Sequence, residues 1–306
     1  MIEALISGLL LGGFYAILAA GLSMMFGVMK IINLAHGDLA ILGAYGVIAL
    51  TTRTEMSPWL SLCIVLPVMA LLGVLLQRWL FARTLRAGIL LPLLVTFGLG
   101  AVLQNGLYGV FGSEAQSLSN SLGDLAWENW QLPGGIIVGK LPVITFAIAV
   151  LVLTGLQFML SFTKLGRSIR AASSDAEAAA LCGMDAHRVH QAAAAIAVVL
   201  AGLAGTLLAM QATVSPYGGP TLLIQAFEAV VIGGIGSLWG TLIGGIILGI
   251  AQSMGALWDP QGFQLAGHLL FFVVLGARLW RQHRHQIGRP SLSTLFKLRL
   301  KKVRRA

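Results

Sequence analysis

Charge is scarce in this sequence. Only 10% of its 306 residues are Asp, Glu, Lys or Arg, where soluble domains carry roughly 25%. Too little polar side chain is left to coat a soluble globule of this size. Cysteine is nearly absent as well, with two residues in all. Cys63 lies in an apolar run and Cys182 in a hydrophilic loop, which excludes a disulfide-built scaffold. No G-x-x-x-x-G-K-[ST] stretch occurs, so the chain binds no nucleotide through a P-loop. No metal signature occurs either. His187 and His190 stand three apart on one helical face and could pair on a metal in principle, but interfacial positions explain them better. His283 and His285 fall in a basic tail. No Ser/His/Asp or Cys/His grouping suggests covalent catalysis.

Apolar residues fill the space left by these absences. They make up 57% of the chain, and the mean hydropathy is +0.87. They come in runs of roughly 20 residues, enough to cross a bilayer as helices. A β-barrel would show short alternating segments instead. The runs are Ala4–Met29, Ile31–Leu50, Trp59–Gln77, Gly88–Phe111, Leu141–Phe162, His190–Gln211, a Gly-broken stretch Leu222–Met254, and Gln264–Trp280. The fold class is therefore an all-α polytopic membrane protein with about eight transmembrane segments. With Glu3 as its one early charge, the first run reads as a span, too long for the core of a cleavable leader.

The net charge of +9 does not point to nucleic acid, because the basic residues lie in clumps between spans. These are Arg78, Arg83 and Arg86; Lys164, Arg167, Arg170 and Arg188; and ten between Arg278 and Arg305. Placing these clumps in the cytosol satisfies the positive-inside rule. Of the 20 basic residues only Arg53 and Lys140 then fall outside. The N-terminus faces out and the C-terminus faces the cytosol. Trp59, Trp79, Trp258 and Trp280 stand at run ends, as interfacial anchors do.

This orientation constrains residues 222–254. The preceding span ends outside and the last span begins outside, so the stretch must leave and return to one side. Roughly thirty residues at about 1.5 Å each are short for two full spans. Gly233-Gly234-Ile235-Gly236 falls near the middle. The expectation is a re-entrant element of two short helices, which belongs where protein or a water-filled cavity surrounds it. One long tilted span is the alternative. Small-xxx-small pairs at Gly8 and Gly12, Gly240 and Gly244, and Gly245 and Gly249 favour close helix packing. In the outer loop 112–140, Leu132-Pro133-Gly134-Gly135 suits the turn of a small hairpin.

The loop 163–189 carries the most local information. Ser174-Asp175-Ala176-Glu177 reads as a capping box, with Ser174 on the N3 amide and Glu177 reaching back. Ala178 to Cys182 continues the helix and Gly183 ends it. Asp185 can cap the following span. A two-turn helix is unstable alone in water, so it needs a surface: either its own protein or a cytosolic partner.

At this loop the sequence resembles a known family. Thr163-Lys164-Leu165-Gly166-Arg167-Ser168-Ile169-Arg170-Ala171, with Asp175 and Leu181-Cys182-Gly183-Met184, is similar to the coupling loop of branched-chain amino-acid ABC importer permeases of the LivH type. Gly21-Leu22-Ser23, Phe26-Gly27-Val28, Ile32-Asn33-Leu34-Ala35-His36-Gly37-Asp38 and Leu42-Gly43-Ala44-Tyr45 resemble that family's N-terminal signature. Ala226-Phe227-Glu228-Ala229-Val230-Val231-Ile232-Gly233-Gly234-Ile235-Gly236-Ser237, then Gly240 and Gly244-Gly245, resembles its Gly-rich late segment. Two departures stand out. A basic tail, 281–306, follows the permease domain 1–280, and Ser173-Ser174-Asp175 replaces the usual Gln-x-Pro-like start of the coupling helix. That tail suits anionic lipid.

The resemblance implies a permease subunit of an importer in a bacterial inner membrane, and no enzyme. Cytosolic ABC ATPases would bind ATP and Mg, so this chain would need no cofactor. A second permease subunit and an extracytoplasmic binding protein would complete the machine. Leucine, isoleucine and valine come first as cargo, then other amino acids, urea or short amides. Coupling to the ATPases would fall to Arg167, Arg170, Ser174, Asp175, Glu177, Leu181 and Gly183. The translocation path would involve Asn33, His36, Gly37, Glu228, Gly233, Gly234 and Gly236. A stand-alone channel or ion-coupled carrier for a small polar solute is the alternative. It would rely on Asp38 or Glu228, since carboxylates inside a membrane face a partner or a cavity.

Overall fold

The computed structural model describes residues 1–84, 88 and 90–287; at 132, 176, 177 and 282–287 it describes the backbone alone. The helices in chain order are α1 (Ile2–Met29), α2 (His36–Thr54), α3 (Pro58–Leu76), α4 (Ala82–Thr84), α5 (Leu90–Phe111), α6 (Lys140–Phe162), α7 (Lys164–Ser174), α8 (Ala176–Leu181), α9 (Ala186–Gln211), α10 (Gly219–Gly233), α11 (Leu238–Gly255) and α12 (Gly262–Ile287). A π-turn, Gln77–Phe81, joins α3 to α4, so the helix runs on to Thr84. Arg78 and Arg83 therefore sit on the end of a helix, beyond where the apolar run stops. Seven helices among the described residues are long and apolar enough to cross a membrane. α2 is not among them, and α10 is shorter. The basic tail beyond 287, and Arg86, lie outside the described residues.

α1 is the central post. It is buried over most of its length and packs on α6, α9, α10 and α11. Its contact with α11 is made by glycines. A methyl group at Gly8 would lie 2.6 Å from the Ile250 Cα, and one at Gly12 would lie 2.4 Å from the Ile246 Cα. Gly245 and Gly249 meet the Gly12 and Gly8 carbonyls in return. Lipid gives helices no hydrophobic drive to associate, so close backbone approach and dispersion hold them together. α3, α5, α6 and α12 form the outer layer and are largely exposed along their spans.

Two segments depart from a simple bundle. The expected second span, Ile31–Leu50, is not helical from its start. α1 ends at Lys30 in the left-handed conformation (φ 57°), and α2 begins only at His36. Asn33 builds the intervening turn, its Oδ1 accepting from the Ala35 N–H at 3.1 Å. α2 starts well inside the molecule, with His36 Nε2 3.0 Å from the Leu18 carbonyl.

The Gly-broken stretch is two helices, of which only α10 is short; α11, with 18 residues, is among the seven long and apolar enough to cross a membrane. α10 has 15 residues, or about 22 Å, against roughly 30 Å of hydrocarbon. Gly234 (φ 100°) and Gly236 (φ 84°) form the turn into α11. The helices then pack tightly, since a Cβ at Gly233 would meet the Gly240 carbonyl at 1.9 Å.

The hairpin is present as β1 (Asn129–Leu132) and β2 (Ile136–Gly139), antiparallel, with Leu132 opposite Ile136. Gly134 and Gly135 take positive φ at its turn. Lys140 pairs with Glu128 at its base.

Candidate translocation and coupling sites

The N-termini of α2 and α10 converge inside the molecule. Neither has a side-chain cap. Gly219 opens α10 against Asp38 in the first turn of α2; an added Cβ there would stand 1.9 Å from Asp38 Oδ1. Gly37 abuts the Gly219 carbonyl in the same way. Asp38 thus lies where two helix dipoles present their positive ends, which favours a carboxylate. Gln104 of α5 donates to its Oδ1 at 2.9 Å. Such contacts offset a mid-membrane carboxylate's cost of about 2.5–3.5 kcal/mol.

Of the residues expected on the path, Asn33 and His36 are fully buried. Asn33 Nδ2 faces Met25 Sδ, and His36 Nδ1 has no partner among the described residues. Glu228 lies apart from them on α10, buried, with Oε1 paired to His268 Nδ1 of α12. Ile32 and Leu34, flanking Asn33, join Glu228, His268, Phe227, Phe271 and Phe272 around a groove of about 590 Å3. The groove brings the turn segment 30–35 and Glu228 to one surface. Gly233, Gly234 and Gly236 sit away from it, at the turn. His268, early in α12, is the partner of Glu228. Asp38, Gln104 and Gly100 line a second, smaller cavity of about 230 Å3 beside Leu34 and Leu223.

The segment 163–185 is more regular than a loop. α7 is a full helix that the sequence reading left unassigned. Thr163 caps it by accepting from the Gly166 N–H at 3.0 Å. Gly166, Ile169 and Ala172 are buried and form one inward face. Arg167 and Arg170 donate to the Phe162 and Ser161 carbonyls. Cations there complement the negative end of α6.

The cap of α8 differs from the expected box. Ser174 Oγ donates back to the Arg170 carbonyl, and Asp175 Oδ1 accepts from the Ala178 N–H at 3.0 Å. Asp175 is the N-cap because α7 runs through Ser174 and holds its hydroxyl. The Glu177 side chain lies outside the described atoms. The stop is a Schellman motif: Gly183 (φ 81°) donates to the Ala180 carbonyl and Met184 to that of Ala179. Asp185 caps α9 through the His187 and Arg188 N–H groups, as expected. Ala179 is buried while Leu181 is 90% exposed.

Two hydrogen bonds tie this region to the Gly turn through α1. Ser173 Oγ donates to the Gly27 carbonyl at 2.7 Å, and the Gly236 N–H donates to Ser23 Oγ at 3.0 Å. Arg278 of α12 donates to the Ile232 carbonyl at 3.0 Å, at the end of α10.

The fold is that of a polytopic helical membrane protein with a grooved face and two short helices, α7 and α8, between α6 and α9. A family model described as the permease component of branched-chain amino acid transport systems matches residues 4–277, and the chain belongs to that family. It is 30% identical to the high-affinity branched-chain amino acid transport system permease protein BraD of Pseudomonas aeruginosa, over 95% of this chain and 97% of that protein. It is 29% identical to the corresponding permease protein LivH of Escherichia coli K12, over 90% and 92%. The fructose import permease protein FrcC of Rhizobium meliloti is 30% identical over 81% of this chain and 70% of its own. No solved structure matches the chain.

Proposed function

We propose that the chain is one of two membrane subunits of an ATP-driven importer that translocates branched-chain or related amino acids delivered by an extracytoplasmic binding protein. The observation that carries the reading is α8: capped at both ends, two turns long, with Leu181 almost wholly exposed. A helix that short is marginal in water, and its apolar tip suits a groove on a cytosolic ATPase. ATP and Mg bind in those ATPases. The relatives named for branched-chain amino acid transport support the cargo class.

The basic clumps set α7, α8 and the end of α12 in the cytosol of a bacterial inner membrane, with the N-terminus outside. The hairpin and Trp127 then face the binding protein. α10 and α11 form the re-entrant element, and their turn reads ATPase movement through Ser173, Gly27, Ser23 and Gly236. The second permease packs beside the grooved face and leaves the groove open to the path between the two subunits. Buried Asp38 and Glu228 are the observation that would favour an ion-coupled carrier instead.

The test is co-purification in mild detergent of the tagged chain from its own cell, wild type beside Leu181→Asp. Wild type should bring an ABC ATPase and a second permease; the variant should lose the ATPase and keep the permease. Recovery of no ATPase with wild type, where one is expressed, would overturn the importer reading.

A further inference from the structure

Among the described residues, Glu228 is the acid with a buried oxygen left without a hydrogen-bond partner. Its Oε1 meets His268 Nδ1, while Oε2 is buried without a partner among the described residues. Its side chain is 3% exposed, that of His268 45%. Two cavities meet at His268 of this pair. One is the groove of about 590 Å3 lined by Phe227, Phe271, Phe272 and aliphatic side chains. The other, about 150 Å3, is lined by Thr221, Gln225, Gln252 and Gln264. Ile224 and His268 border both. The result is an apolar chamber with the Glu228 carboxylate in its wall and a polar chamber beside it, joined at Ile224 and His268. The larger falls within the few-hundred-Å3 range of small-molecule sites, which combine apolar walls with few placed polar groups.

We propose that this junction is a transient subsite for an apolar amino acid inside the membrane, Glu228 taking the ammonium, the phenylalanine-walled groove the side chain, and the Gln225–Gln264 chamber the carboxylate. This rests on the importer reading. The chemistry selects the ligand. An unpaired carboxylate oxygen in a low-dielectric wall attracts a cation and accepts its N–H groups. Primary amides donate to a carboxylate. Lipid tails or a neutral sugar would use the walls but leave Oε2 unsatisfied. A single carboxylate with no second acid in the chamber suits a weak site, as a passing cargo requires. Tyr15 reinforces the arrangement from α1, its hydroxyl donating to Gln252 Oε1, which fixes the amide at the floor of the polar chamber.

The experiment uses the assembled transporter in liposomes: this permease with its partner permease, ATPases and binding protein. Uptake of radiolabelled L-leucine is read beside ATP hydrolysis stimulated by leucine-loaded binding protein. Glu228→Gln should lower uptake by about tenfold, the loss of one charge-assisted contact, and leave stimulated hydrolysis nearly unchanged. Glu228→Asp should recover part of the loss. Uptake by Glu228→Gln equal to wild type would overturn the subsite and leave the importer reading standing. Wild-type complex that takes up no amino acid with ATP would overturn both.

A second measurement covers the case in which Glu228→Gln does not assemble. Ile224 is half exposed in the groove, so Ile224→Cys can be alkylated in the assembled complex. L-leucine should slow its alkylation, while 4-methylpentanoate, which lacks the ammonium, should not. Equal protection by both, or none by either, would overturn the role given to Glu228. A cysteine that cannot be alkylated because the second permease covers it would overturn the subsite outright.

Discussion

Gly219 shows how much a single hydrogen in place of a side chain decides. It lets the start of α10 touch Asp38 and Gly37, so both helix dipoles reach one carboxylate. Gly219→Ala forces a Cβ to within 1.9 Å of Asp38 Oδ1. Overpacking of this kind costs about 1–3 kcal/mol. The expected outcome is a lower thermal-unfolding midpoint in detergent, with Gly98→Ala as control because nothing lies within 4 Å of that position. Equal midpoints for the two variants would contradict the convergence of α2 and α10. Asp38, His36 and Glu228 were legible in the sequence as polar residues in apolar surroundings. Gly219 was not, because its constraint comes from a residue far along the chain. The pairing of Glu228 with His268 was missed for the same reason.

Helices in this molecule are placed by glycine more than by amphipathicity. α1 is apolar on every side, so no periodic stripe marks its partners. The small-xxx-small pairs mark them instead. Gly8 and Gly12 face Gly249 and Gly245 with their backbones in contact. Gly12→Ile should wedge α1 from α11, lower the yield of folded protein and lower its melting midpoint by several degrees, consistent with about 1–3 kcal/mol of overpacking. Gly106→Ile, on the open side of α5, should not. An unchanged midpoint for Gly12→Ile would mean that this contact does not hold the core. The break at Gly233–Gly236 and the stop at Gly183 were legible because positive φ favours Gly. α7 was missed although Gly166, Ile169 and Ala172 recur at helical spacing. Its three cations made it read as a solvated loop, whereas two of them cap α6. The late start of α2 was missed because hydropathy averages over Asn33 and His36 and sees one run.

At the scale of the whole molecule, charge asymmetry and apolar runs gave the fold class, because a bilayer admits few ways to satisfy a backbone. The groove was not legible, since it is made by α10, α12 and the turn before α2 meeting in space. The central claim is that ATP hydrolysis in partner subunits, and no ion gradient, drives cargo past this face. The measurement that tests it most directly is uptake of radiolabelled leucine into liposomes carrying the chain with its ATPases, second permease and binding protein. The account predicts uptake that requires ATP, persists when ionophores collapse proton and sodium gradients, and falls with Leu181→Asp. Uptake by the chain alone, driven by a gradient and indifferent to ATP, would contradict it.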